Sequence, residues 1–181
     1  HCGAGTVTRY LCLSAVAVLL TLWAYQSTWS ASWVYEDRAL RTSAFDSADA
    51  TSWQRAATYW TVRMTPTPRE AHLLSIAFHL LEATLLGLLA WRLGLTAFGA
   101  WIVALVWLLN PMTVETAAYA KARGEQIVLL GTLIGMLAAT WRWWQPLAMV
   151  GIVGGITVAI LGEPSGVVAF LLVPLTVWHC R

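Results

Sequence analysis

Apolar residues in this chain run in long, nearly unbroken blocks rather than in the spaced stripes of a soluble bundle. Six stretches, roughly 10–26, 71–91, 98–115, 126–141, 146–162 and 165–180, are almost wholly hydrophobic. A helix needs about 20 such residues to cross a hydrocarbon layer of about 30 Å, so each block is expected to be a transmembrane helix. The pattern therefore predicts an all-α fold, a polytopic membrane helix bundle of about six transmembrane helices forming one domain over 1–181. A polar interval, 27–70, parts the first two blocks and mixes charges with Trp29, Trp33, Trp53 and Trp60. Tryptophan settles at headgroup level, so this extracytoplasmic first loop is expected to carry short interfacial helices. Pro66 and Pro68 punctuate the entry to the second block.

Composition agrees with the blocks. The chain is 59% hydrophobic and 11% charged, with a mean hydropathy of +0.65, against about 25% charged residues in a soluble domain. Orientation comes from the short connections. With six spans, Arg9, Arg92, Arg142 and Arg181 all fall on one side, without acidic neighbours. The positive-inside rule makes that side cytoplasmic, with both termini. The loop 27–70, the 110–125 connection and Glu163 then face the periplasm or lumen, across a cell (inner) membrane crossed several times. Cys2, Cys12 and Cys180 make no disulfide framework, since two of them come out on the reducing side. No clean small-x-small site follows the first block, so it reads as a retained span. Nothing in the chain forms a nucleic-acid patch, a phosphate-binding glycine loop, a zinc-ligand pair or a nucleophile elbow.

Polar residues inside apolar blocks are the candidate chemistry, because titratable groups within a bilayer are costly and so mark sites or contacts. His72 and His79 lie two helical turns apart, with Glu82 one turn beyond. They make one intramembrane polar face. A proton or substrate path, a ligand set for a metal, haem or pigment, and buried histidines bonded to neighbouring helices all fit that face. Asn110-Pro111 ends the third block, because proline disfavours helical geometry before it. Glu115, Lys121, Arg123 and Glu125 then crowd one loop, where they either pair with one another or bind a lipid phosphate. Glu36 and Asp37, beside Arg38 just past the first span, are carboxylates suited to a divalent cation or to general-base work. Gly131 and Gly135, then Gly151 and Gly155, follow the small-x3-small spacing that lets helices approach closely, within the bundle or against a partner. The twelve tryptophans include Trp91, Trp141, Trp143, Trp144 and Trp178 at block ends, as an aromatic belt requires.

In order, these pieces resemble the N-terminal half of a GT-C-type membrane glycosyltransferase. The likeness is greatest to the polyprenyl- or dolichyl-phosphate-mannose-dependent protein O-mannosyltransferases and their transmembrane-TPR relatives. Trp33-Val34-Tyr35-Glu36-Asp37-Arg38 is similar to the acidic pair of that family's first lumenal loop. Pro68 to His79 is similar to its proline-led second span, and Asn110-Pro111-x3-Glu115 with Arg123-Gly124-Glu125 to its third-to-fourth connection. The resemblance implies that Glu36 or Asp37 is the base or metal ligand and that Arg123 meets a lipid phosphate. Asn110 stands where the family has histidine, and Gly162 where it has lysine. Two functions follow. The first is a truncated GT-C-like protein serving as a non-catalytic structural subunit, with membrane lipids and other integral membrane subunits as partners in a respiratory or photosynthetic complex. The second is the N-terminal part of an active transferase using a polyprenyl-phosphate-linked sugar. The subunit needs no cofactor, and the transferase admits a divalent cation.

Overall fold

A computed structural model describes residues 4–26, 32, 56–110, 113, 122–141 and 145–180. All regular structure among them is helical: α1 (Ala4–Ala24), α2 (Ala56–Met64), α3 (Pro68–Arg92), α4 (Ala97–Leu109), α5 (Arg123–Ala139), α6 (Gln145–Gly162), a 3₁₀ turn (Pro164–Val168) and α7 (Ala169–Cys180). The all-α architecture is thus established. By length and composition, α3 alone among the described residues is long and apolar enough to cross a membrane. The apolar helices Ala97–Leu109, Pro146–Gly162 and Pro164–Cys180 are shorter. The α2 helix falls inside the polar interval where short helices were expected.

Local sequence explains the boundaries. Thr67 caps α3 in a closed box: its hydroxyl accepts from Glu70 N–H at 3.3 Å, and the Glu70 carboxylate accepts from Thr67 N–H at 3.1 Å. Pro68 fills the first turn, where its missing N–H is harmless. At the other end Gly94 takes φ +105°. That glycine lets Leu95 N–H reach Ala90 O and Gly94 N–H reach Trp91 O, both at 3.1 Å, a Schellman closure. Thr96 then caps α4 through Gly99 N–H at 3.1 Å. This compact link folds α4 back along α3. Where they touch, a side chain at Gly87 would meet Ala100 O and Ala104 Cβ at 3.2 Å.

The expected third block reached 115, whereas α4 closes at Leu109 because Asn110 is extended before Pro111. Helix α5 is central and touches α2, α3, α6 and α7. Its contact with α6 is a glycine-rich seam of close backbone approach. A Cβ on Gly131 would lie 2.5 Å from Ala159 N, and one on Gly155 2.5 Å from Gly131 O. Near one end of the seam Gly124 meets Gly162, and towards the other Ala138 meets Gly151, so the two helices run antiparallel. Helix α1 leans on α3 and α4 through Ala17, Ala83 and Leu108, and through Tyr25 and Ile76.

Candidate functional site

The ends of α1, α4 and α6 and the starts of α3 and α5 gather at one end of the bundle. Below that end lies a buried polar cluster. Ser75, His72, His79 and Glu82 are at most 2% exposed on α3, and Arg123 and Gln126 at most 1% on α5. The spacing of three, four and seven residues puts the α3 group on one side of the helix.

Arg123 is the hub. One terminal guanidinium nitrogen, Nη1, donates to Thr65 Oγ1 at 3.1 Å; the other, Nη2, donates to Ala71 O at 2.7 Å and Ser75 Oγ at 3.4 Å. Gln126 Nε2 donates to Ser75 O at 2.9 Å. The planar fork of arginine suits such divergent acceptors, and it pins the α2–α3 joint to the start of α5. Thr58 completes the brace from the other side, donating to Gly162 O at 2.6 Å. Around Gly124 the Gly162 carbonyl, the Thr58 hydroxyl and the Glu163 carboxylate crowd within 3.5 Å of where a side chain would begin.

The second half of the cluster serves the early end of α4. A helix leaves its last carbonyls without intrahelical donors. Here His79 Nε2 faces Leu108 O at 3.4 Å, while Thr113 Oγ1 donates to Trp107 O at 3.1 Å and to Asn110 O at 2.7 Å. The Trp107 indole donates to Glu82 Oε2 at 3.3 Å, and the same oxygen lies 3.6 Å from His79 Nδ1. The rings of Tyr25 and Trp107 flank the imidazole, with centroids 5.9 and 6.3 Å away. Among the described residues neither ring nitrogen of His72 has a hydrogen-bond partner.

No protein-family model, curated protein or solved structure matches this chain.

Of the residues singled out by sequence, His72, His79, Glu82 and Arg123 converge in this cluster. Glu125 instead faces outward from the first turn of α5, where a carboxylate suits the helix dipole. Glu36, Asp37, Glu115 and Lys121 lie outside the described residues. Gly131, Gly151 and Gly155 sit in the α5–α6 seam, and a side chain on Gly135 would meet Val173 of α7 at 2.9 Å. No group of three or more His, Cys, Asp or Glu able to hold a metal occurs among the described residues. Sequence reasoning missed Ser75, Gln126, Thr65 and Tyr25, and its reading of Trp107 as facing lipid or another chain did not foresee the indole's hydrogen bond to Glu82. Ser75 and Gln126 were readable, since they continue the polar faces of His72–His79 and of Arg123 at helical spacing. Thr65 and Tyr25 carried no signal beyond their neighbours.

Proposed function

We propose that this chain is an integral membrane protein of GT-C-like organisation that works as a non-catalytic structural subunit of a larger membrane assembly. What supports the membrane setting is an inverted polarity. The interior holds His72, His79, Glu82, Arg123 and Gln126, whereas Leu19, Trp23, Val106, Val150, Phe170, Leu171 and Trp178 are exposed. A water-soluble fold of this size rarely exposes so many large apolar side chains while burying its charged ones. In a bilayer that surface faces lipid, and the polar groups sit inside as they must. Six spans with the arginine-bearing ends in the cytoplasm remain the topology that the sequence favours.

The observation that carries the structural role is the state of Arg123. The resemblance would give this residue to a lipid phosphate, yet its two terminal nitrogens are engaged with Thr65, Ala71 and Ser75, and the residue is 0% exposed. An arginine spent as an internal brace is not presented to a headgroup. The test is purification from the native membrane in mild detergent, with identification of every co-eluting chain. Stoichiometric recovery with other integral membrane proteins is the expected result. Sugar transfer from a polyprenyl phosphate by the purified protein, abolished by Glu36→Gln or Asp37→Asn, would overturn the proposal in favour of the transferase.

A further inference from the structure

We infer that the turn joining α3 to α4 binds an anionic phospholipid, with Arg92 on the phosphate and the neighbouring apolar side chains on the acyl chains. The site presupposes the membrane setting proposed above. Eight consecutive residues, Trp91 to Phe98, are exposed. Four of them, Trp91, Leu93, Leu95 and Phe98, are large and apolar. The tip is nevertheless well braced. Leu95 N–H closes on Ala90 O, Thr96 caps α4 at Gly99 N–H, and the Phe98 ring stacks on Trp101 with centroids 6.2 Å apart.

The charge of this tip is positive and finds no carboxylate nearby. Arg92 holds its guanidinium carbon 5.9 Å from the Trp91 ring centroid, an attraction that keeps the cation at the level of the indole. The last turns of α3, α5 and α7 and the first turns of α4 and α6 meet at this end of the bundle. They come from residues 83–114, 126–162 and 164–181, which contain no aspartate or glutamate. The described carboxylates lie elsewhere: Glu70 and Glu125 open α3 and α5, Glu163 follows α6, and Glu82 is buried. An anion from outside the chain is therefore what complements Arg92.

The neighbours of that anion select its kind. An acidic peptide would balance the arginine yet leave Leu93, Leu95 and Phe98 facing water. A phospholipid brings a phosphate that suits the guanidinium and hydrocarbon that suits the apolar set. Its headgroup matters as well. Choline carries a cation for which this end offers no carboxylate, whereas glycerol leaves the phosphate's charge uncancelled. One arginine at a membrane surface favours anionic lipid by about fivefold.

The test is native mass spectrometry of the whole chain from mild detergent, with phosphatidylglycerol or phosphatidylcholine of identical acyl chains added. Wild type is expected to retain phosphatidylglycerol about fivefold better. Arg92→Gln should bring the two lipids level. Arg69→Gln, which removes an exposed arginine at the cluster end, should leave the preference intact. Both substitutions are on the surface, and far-UV circular dichroism checks that each variant keeps its helices. Equal retention of the two lipids by wild type, or a preference that survives Arg92→Gln, overturns the site. Displacement of the lipid by polyglutamate would also overturn it and hand the tip to an acidic protein partner. Phase separation in Triton X-114 keeps the membrane reading apart from the site. A chain left in the aqueous phase removes that reading, whereas a chain in the detergent phase without lipid preference removes the site alone.

Discussion

Arg123 shows how one side chain fixes the geometry of several elements. It stands at the first position of α5, and from there its guanidinium bridges to the joint before α3 and to the first turns of α3 itself. Alanine at this position would leave Thr65 Oγ1, Ala71 O and Ser75 Oγ without that donor and open a void. Losing a buried, charged donor of this kind costs about 3 kcal/mol or more, so Arg123→Ala should be among the most damaging single changes. Arg123→Lys keeps the charge, yet an ammonium on a flexible stem cannot span two diverging directions, and it should recover only part of the loss. The measurement is thermal or denaturant unfolding in lipid-free detergent. A residue kept only to meet a lipid phosphate would leave stability there unchanged. An undamaged Arg123→Ala protein would therefore return this residue to the lipid.

At the scale of elements, the α5–α6 seam makes the sharpest prediction because it contains its own control. Gly131 and Gly155 each face backbone at 2.5 Å from where a side chain would begin, so neither helix can move aside without breaking the other's contacts. Gly154 is the residue just before Gly155 on α6, and nothing lies within 4 Å of the equivalent point. Leucine at 131 or 155 should cost at least about 3 kcal/mol through overpacking against an unyielding backbone. Gly154→Ala should instead be neutral or gain up to about 1 kcal/mol from helix propensity. Equal damage at 154 and 155 would mean that α6 is rotated from the position described here. The small-x3-small spacing was visible in sequence, but it did not reveal which partner each glycine meets. Gly131 opens onto α6, whereas Gly135 opens onto α7 as well. A seven-residue spacing, Gly124-Gly131-Ala138 against Gly155-Gly162, is what aligns the seam, and the surrounding small residues mask it in the sequence. Helix starts and stops were more legible. Proline at 68 and the Asn110-Pro111 pair mark backbone constraints that act locally, whatever the tertiary setting. The polar face of α3 was legible for the same reason, since His72, His79 and Glu82 share one helix. What lay beyond reach was the convergence of Arg123 and Gln126 upon Ser75, because the direction in which α5 packs is set by glycine contacts with α6 and α7 on its other sides.

For the whole molecule, the arrangement of charge and the arrangement of helices make one joint prediction about sidedness. Helices α3 to α6 run alternately up and down: α4 returns along α3, α5 runs with α3 so that Arg123 meets Ala71, and α6 returns along α5. The last turn of α3, bearing Arg92, and the last turn of α7, bearing His179 and Cys180, thus fall at the end opposite the buried cluster. Exposed Trp91 and Trp141 mark that end too, while Trp23 and Trp60 mark the cluster end. Two tryptophan levels separated by the length of α3, 25 residues and about 37 Å at 1.5 Å each, match the two interfaces of a bilayer with its headgroup margins. The sequence expectation that Arg9, Arg92, Arg142 and Arg181, which have no acidic neighbours, face the cytoplasm would make the level opposite the cluster the cytoplasmic one. The native thiol of Cys180 should escape a membrane-impermeant maleimide applied to intact cells and react once the membrane is opened. Cysteine placed at Ser165, exposed in the turn after α6, should react from outside in a background lacking the native cysteines. Reversed labelling of the two sites would invert the orientation and place the polar cluster on the cytoplasmic side. Labelling of both sites in intact cells would contradict an odd number of crossings between them, and with it the reading of Pro164–Cys180 as a span.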